Sequence, residues 1–425
     1  MKKYELYKDS GVEWIGEVPS HWDIKKVRSC FSERREKVSD KDFAPLSVTK
    51  AGILPQLDTA AKSDNSDNRK KVLKGDFVVN SRSDRKGSCG ISEYDGSVSL
   101  INTVLTPFNI LAGYVHYMFR SNNYIEEYYR HGRGIVADLW TTRYSEMKNI
   151  AIPFPTISEQ QAVVDYLKDK TLKIDQYVSA RERERELLES LKQSEIANVV
   201  TKGLNSNVRM KDSGIPWIGM IPEHWELRRI KYIFSEKKEK STTGKEMPLS
   251  LSKDKGIIPF SEKKNKTMES ASYVGCKIVT KGDIVFNRFK ARLFAISDYD
   301  GLVSSDYAVY CCNNTASLKY IVKLLSTEMY REAFNRKASG IGDGFSRLYT
   351  EDLFAFYAIF PPLEEQQAIV DYIEAKLSKI DSFMVDLQAE IDYLKEFKQR
   401  LISDVVTGQI CVSNHYKKVS TENQL

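Results

Sequence analysis

From Glu364 to about Val406 the chain has neither proline nor glycine, and apolar residues fall at Ile373, Leu377, Ile380, Met384, Leu387, Ile391, Leu394, Leu401 and Val405. The steps alternate between four and three, with one step of seven where Lys398 fills the gap. A 3.5-residue period marks a helix packed along a supercoiled seam. About 40 helical residues rise roughly 60 Å. A weaker version runs from Ser158 to Val200, where Leu167, Ile174, Val178, Leu188 and Val199 keep the seam. Thr171, Arg181, Arg185, Lys192 and Glu195 interrupt it. Its run RERERE, residues 181–186, reads as a solvated helix face with i,i+4 pairing, against a polar contact zone for another protein's helices. Pro153 and Pro155 precede the first stretch and Pro361 and Pro362 the second, which suits a defined helix start. Gly203 and Gly408 follow the two stretches as expected C-terminal caps.

The regions before each long helix alternate differently. Short β-branched runs at residues 77–79 and 284–286 follow a Lys-Gly-Asp turn, and Asp95-Gly96 and Asp300-Gly301 are turn signals between strand-like segments. Helical stretches are expected at residues 111–129 and 318–336. These regions are mixed α/β.

The whole pattern is written twice. Residues 8–37 (KDSGVEWIGEVPSHWDIKKVRSCFSERREK) and 211–240 (KDSGIPWIGMIPEHWELRRIKYIFSEKKEK) are identical at half of their 30 positions. PLSVTKAGILP, KGDFVVN, EYDGSVS and EQQAVVDY recur as PLSLSKDKGIIP, KGDIVFN, DYDGLVS and EQQAIVDY, and both long helices close on VVT. A period of about 205 residues exceeds the repeat lengths of solenoids, so this is a tandem duplication of a whole unit. Residues 82–88 (RSDRKGS) face 288–294 (RFKARLF) without resemblance, and residues 132–143 differ from 339–349. A shared framework with divergent loops suits two modules doing one job on different targets. The fold class that follows is α+β: two mixed domains alternating with two long helices that pair as an antiparallel coiled coil, with a pseudo-twofold internal repeat. The boundaries are 1–155 and 206–360 for the mixed domains, 156–205 and 361–411 for the helices, and 412–425 for a polar tail expected to be disordered.

Charge sharpens this picture. The 425 residues carry a formal +6, with 41% hydrophobic and 29% charged residues. The first helical segment, residues 156–202, holds eight basic and nine acidic residues, and the second, 361–407, holds five and ten. The helices therefore carry −6, and the rest of the chain carries +12. A basic surface on the globular parts is the footprint of phosphate binding. The six cysteines form no CxxC pair and the five histidines show no ligand spacing, so a zinc site is not expected. No stretch approaches the 18 to 20 apolar residues, roughly, of a membrane span, and the N-terminus lacks a secretory apolar run, so the expected location is the cytoplasm, with no membrane partner.

Candidate DNA contacts come from the divergent basic stretches. They are Arg82, Arg85, Lys86, Arg133 and Arg143 in the first copy, and Arg288, Lys290, Arg292, Arg347 and Tyr349 in the second. Arginine suits bidentate contact with guanine, although each of these also reads as a plain surface charge or phosphate contact. Asn80 and Asn287 sit at equivalent framework positions, which favours a structural hydrogen bond over base reading. Trp14, Trp22, Trp217 and Trp225 are framework residues expected in cores. Candidates for helix-to-helix packing are Leu167, Ile174, Val178, Leu188, Ile373, Ile380, Met384, Leu387, Ile391 and Leu394.

A mixed domain opening with PxHW (Pro19-Ser20-His21-Trp22; Pro222-Glu223-His224-Trp225), a KGD-strand block (Lys74-Gly75-Asp76; Lys281-Gly282-Asp283) and a proline-led helix opening on Ile157-Ser158-Glu159-Gln160-Gln161 or Leu363-Glu364-Glu365-Gln366-Gln367 resembles the specificity subunit of Type I restriction–modification systems. The resemblance covers nearly the whole chain, to about Val412. It implies that each mixed domain is a target recognition domain reading one half of a split double-stranded DNA site. It also implies that the helices space the domains and dock two modification subunits. Those partners would bind S-adenosylmethionine and methylate adenine, and restriction subunits would complete the nuclease. No cofactor is expected on this chain.

The rival readings are a methyltransferase or endonuclease in its own right, or a coiled-coil scaffold. The first lacks an Asn-Pro-Pro-aromatic loop for a flipped base, since Phe360-Pro361-Pro362 has no Asn. Gly244-Lys245 is followed by Glu246, so it is no P-loop. A scaffold leaves two basic domains without a purpose.

Overall fold

The structure is a computed structural model describing residues 2–56, 67–134, 140–252, 255–263, 272–289, 293–312, 317–339 and 346–412. Lys290, Arg292 and the tail from residue 413 lie outside the described residues. The chain divides into two compact units, Met1–Glu182 with Gln388–Leu425, and Arg183–Leu387. Each unit thus takes one mixed domain, the opening part of one long helix and the closing part of the other. The long helices run Ile157–Lys202 and Leu363–Val406. Among the described residues no helix is long and apolar enough to cross a membrane.

In the first unit an antiparallel sheet has the order Cys89–Ile91, Phe77–Asn80, Asn102–Pro107, Phe31–Glu33. The second unit repeats it as Phe294–Ile296, Ile284–Asn287, Tyr307–Cys312, Phe234–Lys237. The strand after each KGD turn is apolar on both faces because both faces are covered. Phe77 and Val79 join the main core, whereas Val78 joins a smaller one with Val72, Val98 and Val104. Ile284 and Phe286 against Val285 divide the same way. This explains a continuous hydrophobic run where half-buried strands alternate.

The KGD aspartate ties the turn to its neighbours. Asp76 accepts from Leu73 N–H at 2.9 Å, Arg34 Nε at 2.7 Å and Thr106 Oγ1 at 2.8 Å. Asp283 accepts from Thr280 N–H at 2.7 Å and Lys237 Nζ at 3.0 Å. Burial pushes the Asp283 carboxyl up, but the Thr280 and Lys237 donors outweigh it and hold it below the usual range. Lys74 N–H and Lys281 N–H each donate to the Asp of the following Asp-Gly, Asp95 and Asp300, at 2.7 Å.

The helical stretches before the long helices are each two short helices, Ala112–Phe119 with Asn122–Arg130, and Leu318–Leu325 with Glu328–Lys337. Buried Ser121 and Thr327 make the break. Their hydroxyls donate back to Met118 O at 2.7 Å and Leu324 O at 2.8 Å, competing with the helix ladder.

Within each unit the long-helix segments run antiparallel. In the first unit Val163, Leu167, Ile174 and Val178 share a core with Ile391, Leu401, Ile402 and Val405, and Leu394 packs against it. Ile373 belongs to the core of the second unit. Leu387 is 2% exposed, while Leu188, Ile380 and Met384 are half-buried.

The polar interruptions have partners on the other helix. Asp175 meets Lys398 at 2.7 Å, Arg181 meets Glu390 at 3.2 Å, and Glu182 meets Lys395 at 2.8 Å, all in the first unit. In the second unit Lys192 pairs with Asp381, and Glu195 with Lys376 and Tyr372. The Lys376 and Tyr372 donors hold the Glu195 carboxyl below its usual range. Arg181 and Glu182, in the run expected on a solvated helix face, thus stay partly exposed while the facing helix supplies them with opposite charges. Such partly exposed pairs contribute at most about 1 kcal/mol each, but they oppose a change of register.

Candidate nucleic-acid interface

The divergent stretches of each copy are far apart in sequence and meet in space. In the first unit Asn80 Oδ1 ends its strand by accepting Arg82 N–H at 3.1 Å. Arg82 then pairs by a backbone bridge with Thr141, which also bridges Arg133. Thr142 N–H donates to Ser81 O at 2.9 Å, and Tyr129 Oη donates to Asn80 O at 3.1 Å and Arg85 O at 3.3 Å. Arg82, Arg85, Lys86, Arg133 and Arg143 therefore share one edge of the domain. Arg85, Lys86, Arg133 and Arg143 are exposed. Asp84 lies 3.0 Å from Arg82, and Glu126 lies 2.8 Å from Lys86. A cleft of about 820 Å³ opens beside this loop, lined by Trp14, Asp84, Lys86, Glu126, Tyr129 and Trp140 among others.

The second unit uses the same backbone scheme. Asn287 Oδ1 accepts Phe289 N–H at 2.9 Å, Leu348 N–H donates to Arg288 O at 3.0 Å, and Ser339 bridges Arg347. Arg347 stacks over Phe289 at 5.4 Å and exposed Tyr349 at 5.6 Å. Both framework asparagines thus bond the backbone, as their equivalent positions suggested.

Matching the bonds places Arg288 opposite Ser81 rather than Arg82. Its guanidinium accordingly turns inward, donating to Glu236 at 2.6 Å with a side chain only 12% exposed. It supports the loop, and the facing of residues 82–88 with 288–294 is corrected by one position.

The framework motifs form a latch that holds each domain to both long helices. Trp22 is fully buried and donates Nε1 to Glu159 at 3.1 Å, while His21 Nε2 lies 2.8 Å from the same carboxylate. Trp225 and His224 repeat this on Glu365 at 2.9 Å each. Burial pushes the Glu159 carboxyl up, but the His21, Trp22 and Thr156 donors prevail and hold it below the usual range.

The other helix ends on the same indole. Gly408 has φ +78°, and a Cβ there would stand 2.4 Å from Pro19 and 3.1 Å from Trp22. Gly203, at φ +82°, would meet Trp225 at 3.1 Å. Buried Gln160 accepts Leu111 N–H at 2.8 Å and donates to Pro155 O at 2.9 Å, and Gln366 does the same with Ser317 N–H and Pro361 O. Tyr114 Oη donates to Pro153 O and Val406 O, as Tyr320 does to Ile359 O and Val200 O. Sequence reasoning placed the tryptophans in the core and missed these donor roles. The available signal was that PxHW and EQQ recur together.

A duplicated framework that locks each mixed domain onto paired helices, and presents a different loop edge in each copy, defines a two-unit α+β protein and not a set of helices alone. Residues 222–392 match the family described as Type I restriction modification DNA specificity domain. The putative type I restriction enzyme MjaX specificity subunit of Methanocaldococcus jannaschii is 22% identical, covering 94% of this chain and 96% of its own length. The type I restriction enzyme MjaVIII specificity subunit of the same organism is 23% identical over 63% of this chain and 64% of that protein. A chain solved in work on complex assembly and conformational transition of the type I R-M system shares the fold, with TM-score 0.67 at 14% identity, over 92% of this chain and 99% of that one. The chain is similar to specificity subunits of Type I restriction–modification systems over nearly its whole length, and the family match itself covers the second unit's mixed domain and the opening of its long helix.

Proposed function

We propose that each unit reads one half of a bipartite DNA site through its divergent loop edge, and that the chain itself is non-catalytic. The observation that carries this is the convergence, in both copies, of two unlike stretches on one edge of a repeated framework. Arg82, Arg85, Lys86, Arg133 and Arg143 serve the first half-site; Arg347 and Tyr349, with Lys290 and Arg292, serve the second. The long helices dock two modification subunits, which bind S-adenosylmethionine and methylate adenine, and restriction subunits join that complex in the cytoplasm. Exposed Leu172, Tyr177 and Tyr393 in the first unit, and Leu187, Leu191 and Phe383 in the second, support docking there. The expected test replaces Arg82, Arg85 and Lys86 with alanine and maps methylated adenines in cells carrying the chain and its partners. Recognition should relax at one half-site only, by about 1–3 kcal/mol per lost bidentate contact. Equal change at both halves, or no change, contradicts the assignment.

A further inference from the structure

A repeated group of cations outside the loop edges lies on and just after the first strand of the two-stranded ribbon that leads into each long helix. Asp23–Lys26 pairs with Ala151–Phe154, and Glu226–Arg229 pairs with Tyr357–Phe360, in the same register. Aligning the copies puts Lys25 with Arg228, Lys26 with Arg229, and Arg28 with Lys231. At all three positions the charge is kept while the residue type changes. The geometry is kept as well: Lys25 lies 3.6 Å over Phe154 and Arg228 lies 4.1 Å over Phe360. Lys26, Arg28, Arg229 and Lys231 are exposed.

A neighbouring position shows what such an exchange means when the partner is internal. Arg34 and Lys237 also exchange, and each is held by its own buried aspartate, Asp76 or Asp283. The ribbon differs. Arg228 touches Glu226 at 3.1 Å, but among the described residues no carboxylate lies within ion-pair distance of Lys25, Lys26, Arg28, Arg229 or Lys231. Three cations within four residues repel one another, and among the described residues the polar side chains set against them are Glu226 beside Arg228 and the Tyr357 hydroxyl, 3.0 Å from Arg229 Nε. Arginine and lysine are not interchangeable where a planar, bidentate partner is read. A partner indifferent to the exchange, and common to both units, is a uniform line of point anions.

We infer that Lys25, Lys26 and Arg28, with Arg228, Arg229 and Lys231, grip the phosphodiester backbone of duplex DNA independently of sequence. This rests on the DNA-reading assignment above and adds to it a division of labour: unlike loop edges select bases, and like ribbons supply affinity. The experiment measures binding of the full chain to a short duplex of arbitrary sequence across a salt series. Each neutralised phosphate contributes about 0.9 to the slope of log affinity against log salt, so the K25Q/K26Q/R28Q variant should lower that slope by about 2.7. The K25R/K26R/R28K variant, which gives the first ribbon the residues of the second, should bind like wild type and shows that the segment tolerates change. Wild-type binding with an unaltered slope in the triple variant overturns the ribbon assignment alone. A triple variant that binds duplex normally but no longer copurifies with a modification subunit overturns it in favour of an acidic protein face. Wild type without salt-dependent duplex binding overturns the underlying DNA-reading assignment as well.

Discussion

Replacing Gln160 with leucine tests the latch where its cost can be worked out. The side chain is fully buried and both ends are used, Oε1 by Leu111 N–H at 2.8 Å and Nε2 by Pro155 O at 2.9 Å. Leucine is similar in volume, so little cavity forms. Two backbone groups lose their partners instead, each costing about 1–3 kcal/mol, with the carbonyl at the lower end. The expected loss is about 2–4 kcal/mol, confined to the first unit. Native-state hydrogen exchange of the full chain, followed by peptide, is the suitable assay because the two units need not unfold together. Peptides covering Ala112–Phe119 and the start of Ile157–Lys202 should exchange roughly 30- to 700-fold faster, at tenfold per 1.4 kcal/mol. Peptides from Leu318–Leu325 should not change, and Gln366→Leu should reverse the pattern, since Gln366 holds Ser317 N–H and Pro361 O at 2.9 and 2.8 Å. Acceleration below about threefold, or equal in both units, would refute the reasoning that paired backbone bonds fasten each domain to its helix.

Acid should loosen the first unit. The Glu159 carboxyl is held below its usual range, so its contribution is full above the ordinary value of about 4.3 and is lost as pH falls through the lowered one. Thermal melting of the first unit should therefore fall in that window, and Glu159→Gln, though less stable at neutral pH, should flatten the dependence; an unchanged pH profile would contradict this. Along the helices, Lys398→Glu should weaken the first unit and Asp175→Lys should restore it. The coupling expected in a double-mutant cycle is about 0.3–1 kcal/mol, because Asp175 is 55% exposed, and a coupling near zero would mean the pair does not set the register.

The amino-acid order alone determined the duplication, the mixed domains and the long helices, because periodicity and turn chemistry are local properties. The 3.5-residue spacing from Ile373 to Leu394 and the glycines after each helix needed no partner to be legible. Tertiary structure decided what local pattern leaves open. The helical stretch at residues 111–129 reads as continuous until Ser121 is buried and its hydroxyl turns back to Met118. Arg181 and Glu182 look like a solvated face until the other helix places Glu390 and Lys395 beside them. Arg288 has the sequence of a surface cation and is drawn inward by Glu236, 52 residues away. Trp22 announces a core residue, yet its role depends on Glu159 and Gly408 arriving from two helices at one indole. For the arginines, Glu182 and Trp22 the deciding interaction joins residues distant in sequence, and only the folded chain brings such groups within bonding distance; for Ser121 the bond is local but the burial that favours it is tertiary.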